Sequence, residues 1–160
     1  RLISAAQDLE MESDRSHPEL RRMMTTIRKF KGDGTDTLYR EAKLPKEMPV
    51  SLGSVAYHAP CHLRAQKISL PARQLLSRAP DTEVTVIEQC SAVDGTWGMM
   101  SQHYEAGVRY SKKLVRGVEN AEARHVASDC PLASQRIAKE NKVSVLHPAE
   151  LLAMAYGLEV

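Results

Sequence analysis

The chain has 160 residues, 42% of them hydrophobic, and its 22 basic side chains nearly balance its 20 acidic ones. This length is enough for a single hydrophobic core, so we expect one globular domain or one domain with an appended segment. A net charge of +2 without a basic stripe argues against nucleic acid as a partner. No apolar run approaches the roughly 20 residues that a membrane-spanning helix needs.

Residues 1–50 differ in pattern from the rest of the chain. Their apolar residues recur at helical spacing in two segments, which predicts two amphipathic helices. The first segment contains Leu2, Ile3, Ala6 and Leu9, and the second contains Leu20, Met23, Met24, Ile27 and Phe30. A proline-containing linker follows. We expect residues 1–50 to be a helical segment and linker, the remnant of a preceding domain.

Residues 51–160 alternate short β-branched runs with longer helical patterns, which predicts strands joined by helices. The runs are Val55–His58, Val84–Ile87, His125–Ala127 and Val143–Leu146. A helix is predicted from about Ser101 to Ala121, with Tyr104, Val108, Val115 and Val118 on one face, and another begins at Pro148. This order implies parallel pairing with right-handed crossovers. The predicted fold is therefore α/β, a four-stranded, mainly parallel sheet with flanking helices, preceded by the N-terminal helical segment.

Three cysteines follow the first three predicted strands: Cys61, Cys90 and Cys130. An odd number of widely spaced cysteines is typical of free thiols or thiolate ligands in a reducing compartment, so we expect a cytoplasmic protein. Ligands bind at the carboxyl edge of open parallel sheets, and the loops that hold these thiols should meet there. A lone cysteine is commonly a small buried hydrophobe, but three at equivalent positions favour a shared site.

Histidines and glycines accompany these cysteines. Pro131 and Pro148 predict helix starts that place Cys130 and His147 at capping positions, where a thiolate is stabilised for metal binding or nucleophilic attack. For His58, His62 and His147, a helix cap or a hydrogen-bonded core position competes with a ligand role. Gly95 and Gly98 are expected to give backbone clearance, and Trp97, Met99 and Met100 to form core or wall.

Four stretches of the sequence resemble a known family. They are Tyr57–Leu63, Cys90–Gly98, Asp129–Ala133 and His147–Pro148. Together they resemble one cysteine-rich CCG repeat, as found in the B subunit of heterodisulfide reductase, the C subunit of anaerobic glycerol-3-phosphate dehydrogenase and the iron-sulfur subunit of glycolate oxidase. The likeness covers about residues 53–159 and is nearest to the glycerol-3-phosphate dehydrogenase type. The resemblance identifies residues 51–160 as a single CCG-type domain.

The family binds an iron-sulfur cluster or another metal centre with five thiolates, of which this chain retains three. Ser91 and Ala133 stand at the two remaining positions. A cluster that needs five thiolates is thereby excluded, whereas a 4Fe-4S cluster can be held by three thiolates and a further ligand. The resemblance thus implies Cys61, Cys90 and Cys130 as ligands, with His62, His58 or His147 as the candidate fourth. Zinc with three sulfurs and a histidine is the alternative.

The resemblance implies an electron-transfer subunit, or a fragment of one, in an oxidoreductase complex. It would pass electrons from a flavoprotein dehydrogenase subunit to a quinone or other acceptor, without catalytic residues of its own. A second cysteine-rich repeat is an expected partner, and the complex could place the chain at the cytoplasmic face of the membrane. One alternative is a zinc-binding or metal-free structural module. Another is a thiol enzyme with Cys130 as nucleophile and a histidine base.

Overall fold

The computed structural model describes residues 44, 47–65 and 69–160, except the side chains of His62 and Arg64. The predicted N-terminal helices lie outside this range. The strands are β1 Ser54–His58, β2 Glu83–Ile87, β3 His125–Ser128 and β4 Val145–Leu146. The helices are α1 Cys61–Ala65, α2 Pro71–Leu76, α3 Tyr104–Ala121, α4 Pro131–Asn141 and α5 Pro148–Ala155, with a short 3-10 helix at Trp97–Met99.

The four strands form one sheet in the order β2-β1-β3-β4, and every pair is parallel. His58, at the end of the central strand β1, is in register with Ile87 on one side and Ser128 on the other. The predicted α/β fold is confirmed. Because all strands run in the same direction, the loops that follow them leave from one edge of the sheet.

Helices pack on both faces of the sheet. Successive strand residues point to opposite sides, and apolar residues of β1 enter the core on each side. On one face, Val55 and Tyr57 join a core with α2 and α5 that includes Leu75 and Leu151. The other core lies under α3 and α4. It contains Ala56, Ile87, Leu114, Val118, Val126 and Ile137. None of the helices in the described ranges is long and apolar enough to cross a membrane.

Two details differ from the sequence expectations. Helix α3 begins at Tyr104 instead of Ser101, and its buried face is formed by Gly107, Ser111, Leu114 and Val118. The spacing of the valines predicted a neighbouring face of α3, because Gly107 and Ser111 are not apolar side chains and were not counted toward the buried face. Small residues let α3 lie close to the sheet and to the loop beside it. Strand β4 is also shorter than predicted, because only Val145 and Leu146 pair with β3.

The pH dependence of stability should include a contribution from His125, at the start of β3. Burial lowers the pKa of His125, and the charge of Arg124 lowers it further. The unfolded chain, with a histidine pKa of about 6.5, therefore binds this proton more readily than the folded protein. The contribution is fully present above about pH 6.5 and is lost as the pH falls below that value. Urea unfolding of His125→Gln between pH 8 and pH 5 should show a shallower pH slope; an unchanged slope would contradict this.

Candidate metal centre at the carboxyl edge of the sheet

The three cysteines follow three neighbouring strands at nearly the same distance. Cys61 lies three residues after His58, Cys90 three after Ile87 and Cys130 two after Ser128, and these three strand residues share one row of the sheet. Adjacent strands are about 4.8 Å apart, so the fold brings the three loops to one side of the molecule. All three thiols are free; Cys61 and Cys90 are exposed, and Cys130 is partly buried.

The loop after β2 is shaped around Cys90. The backbone N–H of Ala92 donates a hydrogen bond to the Cys90 sulfur over 3.3 Å, which stabilises negative charge on that atom. Ala92 and Asp94 both adopt the left-handed backbone conformation, with φ of 53° and 39°. Residues other than glycine rarely adopt this conformation. Such backbone strain persists only when the surroundings hold the loop in place.

Arg136 of α4 holds the far end of this loop. Arg136 is only 3% exposed, and its guanidinium donates a hydrogen bond to the Gly98 carbonyl over 2.5 Å. It also pairs with Glu140 at 3.5 Å and lies over the Tyr104 ring at 4.8 Å. A side chain at Gly107 would come within 2.7 Å of the guanidinium and of the Gly98 carbonyl, so the contact requires glycine there. The Cys90 loop is thereby tied to the helix that Cys130 precedes.

Cys130 occupies the N-cap of α4, as predicted, with an extended backbone. Its thiol makes no capping hydrogen bond, but its carbonyl accepts hydrogen bonds from the backbone N–H and the hydroxyl of Ser134 at 2.9 and 3.0 Å. The preceding Asp129 is largely buried and accepts a hydrogen bond from the Tyr57 hydroxyl. The chain around Cys130 is therefore fixed on both sides of the thiol.

His58 is 2% exposed, and both of its ring nitrogens have hydrogen-bond partners. Nδ1 lies 2.9 Å from the Ser128 hydroxyl, and Nε2 lies 3.0 Å from the Gln89 carbonyl oxygen. A ring engaged at both nitrogens offers no lone pair to a metal in this arrangement. His58 is thus a hydrogen-bonded core histidine, and its candidacy as a fourth ligand is not supported.

His147 caps helix α5. Its Nδ1 accepts a hydrogen bond from the Ala149 N–H at 3.2 Å, and its Nε2 lies 4.0 Å from the Asp129 carboxylate. The Glu150 side chain accepts a hydrogen bond from the His147 backbone N–H, which completes a capping box. His62 belongs to α1, directly after Cys61, but its side chain is outside the described part of the structure. Its ligand role stays a prediction.

The donor set fits a thiolate-bound metal group in the type of its ligands. Iron-sulfur clusters and zinc both take cysteine thiolates, and the three thiols here are free and leave one edge of the sheet. Among the residues that the structure describes, no three His, Cys, Asp or Glu side chains are gathered as a closed metal site. The assignment of Cys61, Cys90 and Cys130 as ligands therefore stays a prediction.

The edge of the site next to the Cys90 loop presents an exposed aromatic group. Trp97 is 38% exposed, and its ring stacks on the His103 ring with a centroid distance of 4.6 Å. Met100 beside it is 44% exposed. Their exposure shows that Trp97 and Met100 are not core residues, and the expected wall role stays a prediction.

Sequence reasoning missed Arg136 and Ser128, which shape the site without being ligands. The signal for Arg136 was its position in α4, one turn after the buried Ala133 and next to the buried Ile137. A single arginine on an apolar helical stripe indicates a buried charge with a dedicated partner. Ser128 gave no such signal, because a serine at the end of a strand is common and its role depends on contacts between strands.

A parallel α/β domain with free thiols after three adjacent strands is the arrangement expected of a cysteine-rich cofactor-binding repeat. The chain is 32% identical over 102 residues to the C subunit of anaerobic glycerol-3-phosphate dehydrogenase of Escherichia coli, from strains K12 and O157:H7. This match covers 63% of the chain and 26% of the relative. An uncharacterised iron-sulfur protein of Methanocaldococcus jannaschii is 30% identical over 139 residues, covering 79% of the chain and 28% of the relative.

The chain thus spans about a quarter of the length of the curated relatives it matches. These similarities support a cysteine-rich iron-sulfur family of the CCG type, and the resemblance predicted from the sequence motifs is confirmed. No family model matches the chain, and no solved structure gives a significant match.

Proposed function

We propose that this chain is an iron-sulfur electron-transfer module of an oxidoreductase complex. The observation that supports this most is the common placement of Cys61, Cys90 and Cys130 after three adjacent parallel strands. The relatives add support, since one is named as a subunit of a dehydrogenase and another as an iron-sulfur protein. A bound cluster would supply one-electron transfer between a donor and an acceptor.

The chain's own residues would hold the cluster and set its environment. Cys61, Cys90 and Cys130 would provide thiolates, and His62 would be the candidate fourth ligand of a 4Fe-4S cluster. The Ala92 N–H beside the Cys90 sulfur and the N-terminus of α4 beside Cys130 would stabilise the negative charge of the thiolates. The exposure of Cys61 and Cys90 would let a partner approach the cluster closely.

The proposed electron donor is a flavoprotein dehydrogenase, by similarity to the glycerol-3-phosphate dehydrogenase relative, and the acceptor is a quinone or another carrier. A second cysteine-rich repeat is the other proposed partner, because the matched segments cover only 26% and 28% of the two relatives. In such a complex the chain would function in the cytoplasm or at the cytoplasmic face of the membrane.

Anaerobic purification followed by iron, zinc and acid-labile sulfide analysis tests this proposal. A brown protein with iron and sulfide in equal amounts, and an electron paramagnetic resonance signal after reduction, is the expected result. Stoichiometric zinc without sulfide would replace the electron-transfer proposal by a structural zinc module. A metal-free protein, after attempted reconstitution with iron and sulfide, would overturn both metal assignments.

A further inference from the structure

His58 connects the three loops in which the cysteines lie. It belongs to the central strand β1, three residues before Cys61, and its ring contacts the last residue of β3 and the loop that follows β2. Through Nε2 it contacts the carbonyl of Gln89, the residue before Cys90. Through Nδ1 it contacts Ser128, which in turn accepts a hydrogen bond from the Cys130 backbone N–H at 3.2 Å.

The first and last hydrogen bonds of this series have fixed directions. The Gln89 carbonyl can only accept, so Nε2 of His58 bears the proton and donates. The Cys130 N–H can only donate, so the Ser128 oxygen accepts from it, and the hydroxyl proton of Ser128 remains available for donation to Nδ1. One neutral tautomer of His58 satisfies all three hydrogen bonds. His58 and Ser128 are 2% and 1% exposed, and bonds in such a dry environment are costly to leave unmade.

We propose that His58 is the positioning residue that sets the spacing of the Cys61, Cys90 and Cys130 loops. It acts through the Gln89 carbonyl and the Ser128 hydroxyl, and it is not a ligand itself. This proposal rests on the proposed function only in taking the three cysteines to act together. Outer residues that orient ligands in this way typically account for about 10- to 100-fold in metal affinity.

Arsenite binding to the full chain, without iron or sulfide, tests the proposal. Trivalent arsenic forms three bonds to thiolate sulfur, so tight one-to-one binding reports on three thiols that can meet, whatever cluster the protein holds. We expect wild-type binding to require Cys61, Cys90 and Cys130. His58→Leu, which keeps volume but removes both hydrogen bonds, should weaken arsenite binding by about tenfold or more.

Three further variants separate positioning from general destabilisation. His58→Gln retains one donor and one acceptor and should bind arsenite within about threefold of wild type. Ser128→Ala breaks the connection from His58 to the Cys130 backbone and keeps the contact of His58 with Gln89. Its loss of arsenite affinity should therefore be smaller than that of His58→Leu. Hydrogen exchange should accelerate at Cys130 but not in the loop after Gln89. His125→Gln, at the opposite end of β3, is the matched control and should bind as wild type at pH 8.

Wild-type arsenite affinity in His58→Leu would overturn the positioning role, and so would equal losses in His58→Leu and His125→Gln. If circular dichroism shows that His58→Leu does not fold, the arsenite affinities of Ser128→Ala and His58→Gln are compared with that of His125→Gln instead. Wild-type affinity in Ser128→Ala would then overturn the positioning role. A wild-type chain that binds arsenite through all three thiols but takes up no iron and sulfide would refute the iron-sulfur function and leave the positioning role intact.

Discussion

Serine substitution of any one of Cys61, Cys90 and Cys130 is expected to lower bound iron and sulfide to below about a tenth of the wild-type content. The physical reason is ligand number, because a 4Fe-4S cluster usually takes four cysteines and this chain provides three. With no spare thiolate, the loss of one leaves at least two iron sites without protein sulfur. The measurement is iron and acid-labile sulfide per folded chain after anaerobic reconstitution.

The control for these variants is Ser91→Ala. Ser91 is adjacent to Cys90 and stands where the family pattern has a further cysteine, so its substitution tests the same loop without removing a thiol. We expect its iron and sulfide content to equal that of wild type. A cysteine variant that retains the full content would remove that residue from the ligand set.

Gly98→Ala should destabilise the folded protein more than a methyl group added at any other glycine near the site. A side-chain carbon at Gly98 would lie 1.8 Å from the Ala92 carbonyl oxygen, a distance that only a backbone shift can relieve. The shift would move the segment whose Ala92 N–H contacts the Cys90 sulfur and whose Gly98 carbonyl contacts Arg136. We expect a loss of about 2 kcal/mol or more in the free energy of unfolding, measured by urea denaturation, together with reduced iron content.

Gly95→Ala is the matched comparison in the same loop. Nothing lies within 4 Å of a side-chain carbon built there, and the only obstacle is the left-handed backbone at φ 65°. Its expected cost is about 1 kcal/mol, from backbone conformation alone. If Gly95→Ala destabilised the protein as much as Gly98→Ala, close approach to the Ala92 carbonyl would not be the cause.

The α/β architecture and the edge that bears the cysteines could both be predicted from residue order. Strand-like and helix-like segments alternate along residues 51–160, and this alternation permits little besides parallel pairing. Cys61, Cys90 and Cys130 each follow a strand, which places them on one side of any parallel sheet. Pro131 and Pro148 mark the starts of α4 and α5, because proline suits the first turn of a helix and not its interior.

Tertiary structure alone decided which side chains support that edge. The pairing order β2-β1-β3-β4 puts His58 between Gln89 and Ser128, and no local pattern in the sequence specifies which strand is central. The contact of Arg136 with Gly98 likewise joins residues 38 positions apart. Helical and strand periodicity report only whether a residue faces a core, whereas the partner it meets there depends on how separate elements pack.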